Sequence, residues 1–81
     1  MQRYIDKFKT YLTIEKNASP HTITNYISDL EDFASQISDK KIEDIDYLTL
    51  RKYLAGLKLR NLSKKTTARK LSTLRTFFKF L

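Results

Sequence analysis

"NLSKKTTARKLSTLRTFFKFL", residues 61–81, carries six Lys or Arg and no Asp or Glu, and ends on an apolar residue while its hydrophobic pattern is still running. Thr67, Leu71, Leu74, Phe78 and Leu81 recur at helical spacing, and Ser63 stands where an N-cap belongs, so the stretch predicts a helix from Lys64 onward. At 100° per residue, the side away from that row holds Lys65, Arg69, Ser72 and Thr76, with Lys79 near the rim. Phe77 and Phe80 fall off the row in opposite directions and read as edge packing or as contacts for a partner domain. Such a helix packs on one side and offers positive charge and hydroxyls on the other.

Working backward along the chain, Asp46 caps a helix predicted from Tyr47 to Leu59, with Leu50, Tyr53, Leu54 and Leu57 as its buried row. Gly56 sits inside that row and reads as a close-packing point. Before it, "SDKKIEDID" (38–46) is a polar connection with Ile42 and Ile45 turned inward. Ser19 followed by Pro20 is an N-cap with proline at the first helical position, where a missing N–H costs nothing. That helix is expected to reach about Gln36, burying Ile23, Ile27, Leu30 and Ala34, with Tyr26 and Phe33 at the edge. A first amphipathic helix over residues 2–16 turns Ile5, Phe8 and Leu12 inward and fades at "KNAS". No stretch alternates as a strand does. The fold class is therefore all-α: a compact bundle of four helices, none of them stable alone.

Eighty-one residues make one small domain, burying about 60% of the surface of its unfolded chain. One Gly, one Pro and 12% aromatic residues favour long regular segments over a turn-rich β fold. Without cysteine, neither a disulfide framework nor a Cys-based zinc site can form, and a reducing, cytoplasmic setting is expected. No apolar run approaches the roughly 18 residues of a membrane span, so no membrane partner is expected.

The net charge of +7 is unevenly placed. Residues 1–46 hold all nine acids against six Lys or Arg, whereas residues 47–81 hold ten Lys or Arg and no acid. A merely solvated surface mixes its signs, so this polarity predicts an anionic partner, with nucleic acid first among the candidates. The second helix supports that reading. His21, Asn25 and Ser28 face outward over its first two turns, and Asp29, Glu31 and Asp32 come only later. Two helix starts thus combine small polar or basic side chains with unpaired backbone N–H groups, which suits phosphate oxygens and base edges. There is no Gly-rich phosphate loop, no metal-ligand cluster and no call for a cofactor.

"NASPHTITNYISDLEDF" (17–33) and "LSKKTTARKLSTLRTFFKFL" (62–81), separated by a connection and a helix containing "LRKYLAGL", resemble the N-terminal core-binding, SAM-like domain of tyrosine recombinases, the phage integrase and Xer group. The resemblance spans essentially the whole chain. It implies one jaw of a clamp around duplex DNA, approached by the starts of the second and fourth helices, and a separate C-terminal catalytic domain absent from residues 1–81. Partners would be double-stranded DNA, that catalytic domain and other recombinase protomers, in a bacterial, phage or mobile-element setting. Carried over by position, the DNA-binding residues would be His21, Thr22 and Asn25 from the second helix. From the fourth they would be Lys64, Lys65, Thr66, Arg69 and Ser72. Lys and Arg would mostly neutralise phosphates, and Asn25 has the shape to bid for an adenine edge. Arg75 would brace the bundle or the interdomain side.

The same resemblance implies a binding module and not an enzyme. The family's His-x-x-Arg is missing, since His21, the sole histidine, is followed by Thr22, Ile23 and Thr24. The five tyrosines sit in or beside apolar patterns and read as core or edge residues. Two other readings remain at this level: a helical interaction module that binds an acidic protein through its last helix, and a helix-turn-helix regulator turning at "RNLS".

Overall fold

Asp46 and Ser63 begin the third and fourth helices as the sequence predicts, each accepting the backbone N–H three residues ahead, from Thr49 and Thr66. The computed structural model describes residues 1–37 and 41–81. It contains α1 (Gln2–Ile14), α2 (Pro20–Ile37), a single 3-10 turn (Ile42–Asp44), α3 (Tyr47–Leu59) and α4 (Lys64–Phe80), and no strand among the described residues. Ser19 caps α2 in the same way, accepting from Thr22 N–H at 3.2 Å. Two of the helices end at asparagines in the left-handed region, Asn17 (φ 48) after α1 and Asn61 (φ 55) after α3. Asparagine tolerates that conformation better than most residues, so the chain can turn sharply without glycine.

The central helix is α2, which packs against α1, α3 and α4. Ile5, Phe8 and Leu12 of α1 are buried as expected. Phe8 meets Tyr26, Phe77 and Phe80 with ring centroids 5.7, 5.4 and 5.2 Å away. On the other flank of α2, Phe33 meets the Tyr53 ring edge-on at 4.9 Å. Ile42 and Ile45 pack against the core as predicted, while residues 38–40 of their connection lie outside the described residues.

The helix spans hold closely, but the buried faces are rotated. In α4 the buried residues are Lys70, Thr73, Leu74 and Phe77, not the row through Leu71, Phe78 and Leu81. Leu71 and Phe78 are only half-buried and Leu81 is exposed. At 100° per residue the true inner face lies about 70° around the helix from the predicted one. Phe77, expected at an edge, is fully buried, and Phe80 packs on Phe8 and Tyr11. In α2 the inner face is Asp29, Leu30, Phe33 and Ile37, with Ile23, Ile27 and Ala34 half-buried. Leu50 and Leu54 of α3 are likewise half-buried, and Thr49 joins Tyr53 and Leu57 inside. Tyr47 is 75% exposed and so is neither core nor edge. Gly56 is not a close-packing point, since a Cβ built there would meet nothing within 4 Å. Arg75 is exposed and does not brace the bundle.

Candidate nucleic-acid interface

The rotated faces of α2 and α4 meet at a buried carboxylate, and it bears on the charged surface. Asp29, noted from the sequence only as one of the acids after the first two turns of α2, is only 1% exposed and lies between α2 and α4. Both of its oxygens are doubly occupied. Oδ1 accepts from Arg69 Nη2 (2.9 Å) and Lys70 Nζ (3.3 Å), and Oδ2 from Arg69 Nε (3.2 Å) and Thr73 Oγ1 (2.9 Å). A carboxylate in such a place would be costly unpaired, so α4 turns Lys70 and Thr73 inward to meet it. Apolar periodicity alone would have put Leu71 there.

A second carboxylate extends the network. Asp32 accepts from Tyr53 Oη at 2.7 Å and from Arg60 Nη1 at 2.9 Å, and its Oδ2 lies 3.3 Å from Lys70 Nζ. Lys70, 7% exposed, therefore bridges the two acids of α2 from α4, and Asp32 carries the network on to Tyr53 of α3. Burial pushes the Asp29 carboxyl up, but bonds from Arg69, Thr73 and Lys70 outweigh it and hold the group below its ordinary value. At Asp32 burial is again outweighed, by bonds from Arg60 and Tyr53 and by the Lys70 charge. Burial and the neighbouring Asp32 raise the Tyr53 phenol well above its usual range. No buried side-chain polar atom among the described residues is left without a partner.

This arrangement corrects one expectation about the cationic face of α4. A carboxylate does reach it, because Asp29 of the neighbouring helix takes Arg69. Arg69 flanks the core instead of standing opposite it, with its side chain 47% exposed. Lys64 and Lys65 are exposed and have no ion-pair partner among the described residues, and Ser72 is exposed further along.

The two helix starts are built alike. Ser19 Oγ donates to Thr22 Oγ1 at 2.9 Å while accepting the Thr22 N–H, and Ser63 does the same toward Thr66 at 3.0 Å. His21 is exposed and Asn25 half-buried, with Asn25 Nδ2 3.3 Å from His21 Nε2. Thr22, Asn25 and Tyr26 of α2 and Arg69, Ser72 and Thr73 of α4 line one shallow cleft of about 240 Å³. The structure thus brings Thr22, Asn25, Arg69 and Ser72 together, while His21, Lys64, Lys65 and Thr66 do not line the cleft. Among the described residues no His, Asp and Glu cluster could hold a metal ion, and no helix is long and apolar enough to cross a membrane.

Sequence reasoning missed Asp29, Asp32, Lys70 and Thr73. A signal for Asp29 was present: Tyr26, Asp29, Leu30, Phe33 and Ile37 share one helical row. Its partners, some 40 residues away in α4, carried no such local sign.

A family model for the phage integrase N-terminal SAM-like domain matches residues 5–81. Among individual proteins, a tyrosine recombinase XerC of Oceanobacillus iheyensis is 43% identical over 84 residues, covering 100% of this chain and 28% of that protein. The XerC of Halalkalibacterium halodurans is 43% identical over 98% of the chain and 27% of its own length. That of Syntrophus aciditrophicus is 36% identical over 100% of the chain and 29% of its own length. The chain therefore spans under a third of the curated relatives it matches. No solved structure matches it significantly. A match over nearly the whole of an all-helical chain shows that it belongs to the phage integrase N-terminal SAM-like domain family, the N-terminal domain of tyrosine recombinases.

Proposed function

We propose that this domain binds duplex DNA in a sequence-dependent way, as the N-terminal clamp domain of a site-specific tyrosine recombinase, and performs no strand cleavage itself. The observation that carries the reading is the cleft between α2 and α4, where Asn25 and Arg69 converge, with the unpaired Lys64 and Lys65 on the same helix as Arg69. Base edges need fork-shaped donors and acceptors held in place, and phosphates need free cations beside them; this surface offers both. His21, Thr22 and Thr66 stand at the two capped helix starts, where backbone N–H groups add to the attraction for phosphate. Catalytic groups would come from a further domain of the parent recombinase. That domain would complete the clamp, and other protomers would bind alongside on the DNA.

The test is a salt titration. With about five phosphate contacts, log K should fall against log salt with a slope of about −4 to −5. Lys65→Ala should weaken binding to all sequences alike and reduce that slope by about one unit, while changing stability by no more than about 0.5 kcal/mol. Asn25→Ala should cost about 1–3 kcal/mol on a preferred sequence and little on random DNA. Affinity indifferent to salt would favour an acidic protein partner instead. A covalent protein–DNA adduct through any tyrosine would sink the claim that the domain does not cleave.

A further inference from the structure

Arg69 differs from the lysines beside it in what holds it. Lys64 and Lys65 are exposed chains with no carboxylate partner among the described residues, free to follow a phosphate wherever the backbone places it. The Arg69 guanidinium is clamped along its Nε–Nη2 edge by two bonds to Asp29. Asp29 is itself immobilised from the far side by Lys70 and Thr73, so it cannot swing to follow the arginine. An arginine has five N–H donors in a planar fork, and Asp29 takes two. The donors left over include a parallel pair on the Nη1–Nη2 end, and the residue lines the cleft shared with Asn25.

Two physical consequences follow. A guanidinium already matched by a full carboxylate releases few counterions when it meets DNA, which makes it a poor phosphate anchor. A guanidinium fixed in orientation has lost its rotamer freedom before binding, which makes it a good partner for a rigid pair of acceptors. We infer that Arg69 is a base reader, presenting its free edge to two adjacent acceptors such as guanine O6 and N7, and that Asp29 is the positioning residue that sets its aim. The inference rests on the DNA-binding reading above and departs from the assignment of Arg69 to phosphate. With Asn25 in the same cleft, α2 and α4 would read neighbouring base pairs together.

The experiment uses this 81-residue chain and a duplex library with a randomised 12-base-pair centre, about one turn of DNA. Wild type should enrich a motif containing a fixed guanine. Arg69→Lys keeps the charge and removes the fork, so preference at that base should fall by about 5- to 100-fold, with affinity for random duplex and the salt slope unchanged. Asp29→Asn frees the Arg69 charge, so the same preference should fall while the salt slope becomes steeper. Thermal melting establishes that each variant is folded; if Asp29→Asn is not, Arg69→Lys decides alone. Retention of the guanine preference by folded Arg69→Lys overturns the inference, as does a wild type that binds DNA without any base preference. A wild type that binds no duplex at low salt overturns the DNA-binding reading with it, so the two failures are distinguishable.

Discussion

Ring packing serves both sides of α2, but only one side adds an ionic cluster to it. Toward α1 and the end of α4, Phe8 sits among Tyr11, Tyr26, Phe77 and Phe80 in a cluster of ring contacts. Toward α3 and the middle of α4, Asp29 and Asp32 gather Tyr53, Arg60, Arg69, Lys70 and Thr73. Burial of apolar rings is non-directional and tolerates small rotations. The ionic cluster tolerates few, because each donor must meet a particular oxygen. Both regions supply stability, and the second also sets the angle at which α4 presents its outer surface.

The largest effect should come from emptying the aromatic side. Phe77→Ala removes a fully buried ring and should cost about 4 kcal/mol in chemical denaturation, most of what so small a domain has. Asp29→Ala should come next, at about 3 kcal/mol, because it leaves Lys70 buried with only Asp32 beside it. If Asp29→Ala costs nothing, the polar side contributes orientation alone.

Titration separates the two sides without mutation. Asp29 and Asp32 ionise more readily folded than unfolded, so their contribution is complete above the ordinary carboxyl range. It should be lost as pH falls below about 4 and through the folded values. Tyr53 has the opposite sign. Its folded value is raised, so its contribution is complete below about pH 10 and declines above that, where the unfolded phenol ionises first. Melting temperature should therefore be level between these limits and fall at both ends, with the acid limb shallower in Asp29→Asn.

The smallest expected effect is a gain. Gly56 is in a helix interior at negative φ with open space where a Cβ would go, so Gly56→Ala should stabilise by about 0.5–1 kcal/mol. Destabilisation would restore the close-packing role that its place in the apolar row suggested.

Local chemistry along the chain determined the helices. Ser19, Asp46 and Ser63 begin three of them, and the 3.6-residue pattern carries all four to within a residue or two of their observed ends. Caps and periodicity act over three or four residues, so the sequence displays them directly. The lopsided charge was legible in the same way. Which degree of rotation each helix takes was left to the tertiary structure. Phe77 and Leu71 are both apolar, and the face containing Phe77 is the one that meets Phe8 of α1 and brings Lys70 and Thr73 to the buried Asp29, more than 40 residues away. That choice moves Arg69 from the far side of α4 to the edge of the cleft with Asn25. Pairing energies between distant residues depend on the packed geometry, and a one-dimensional pattern does not carry it.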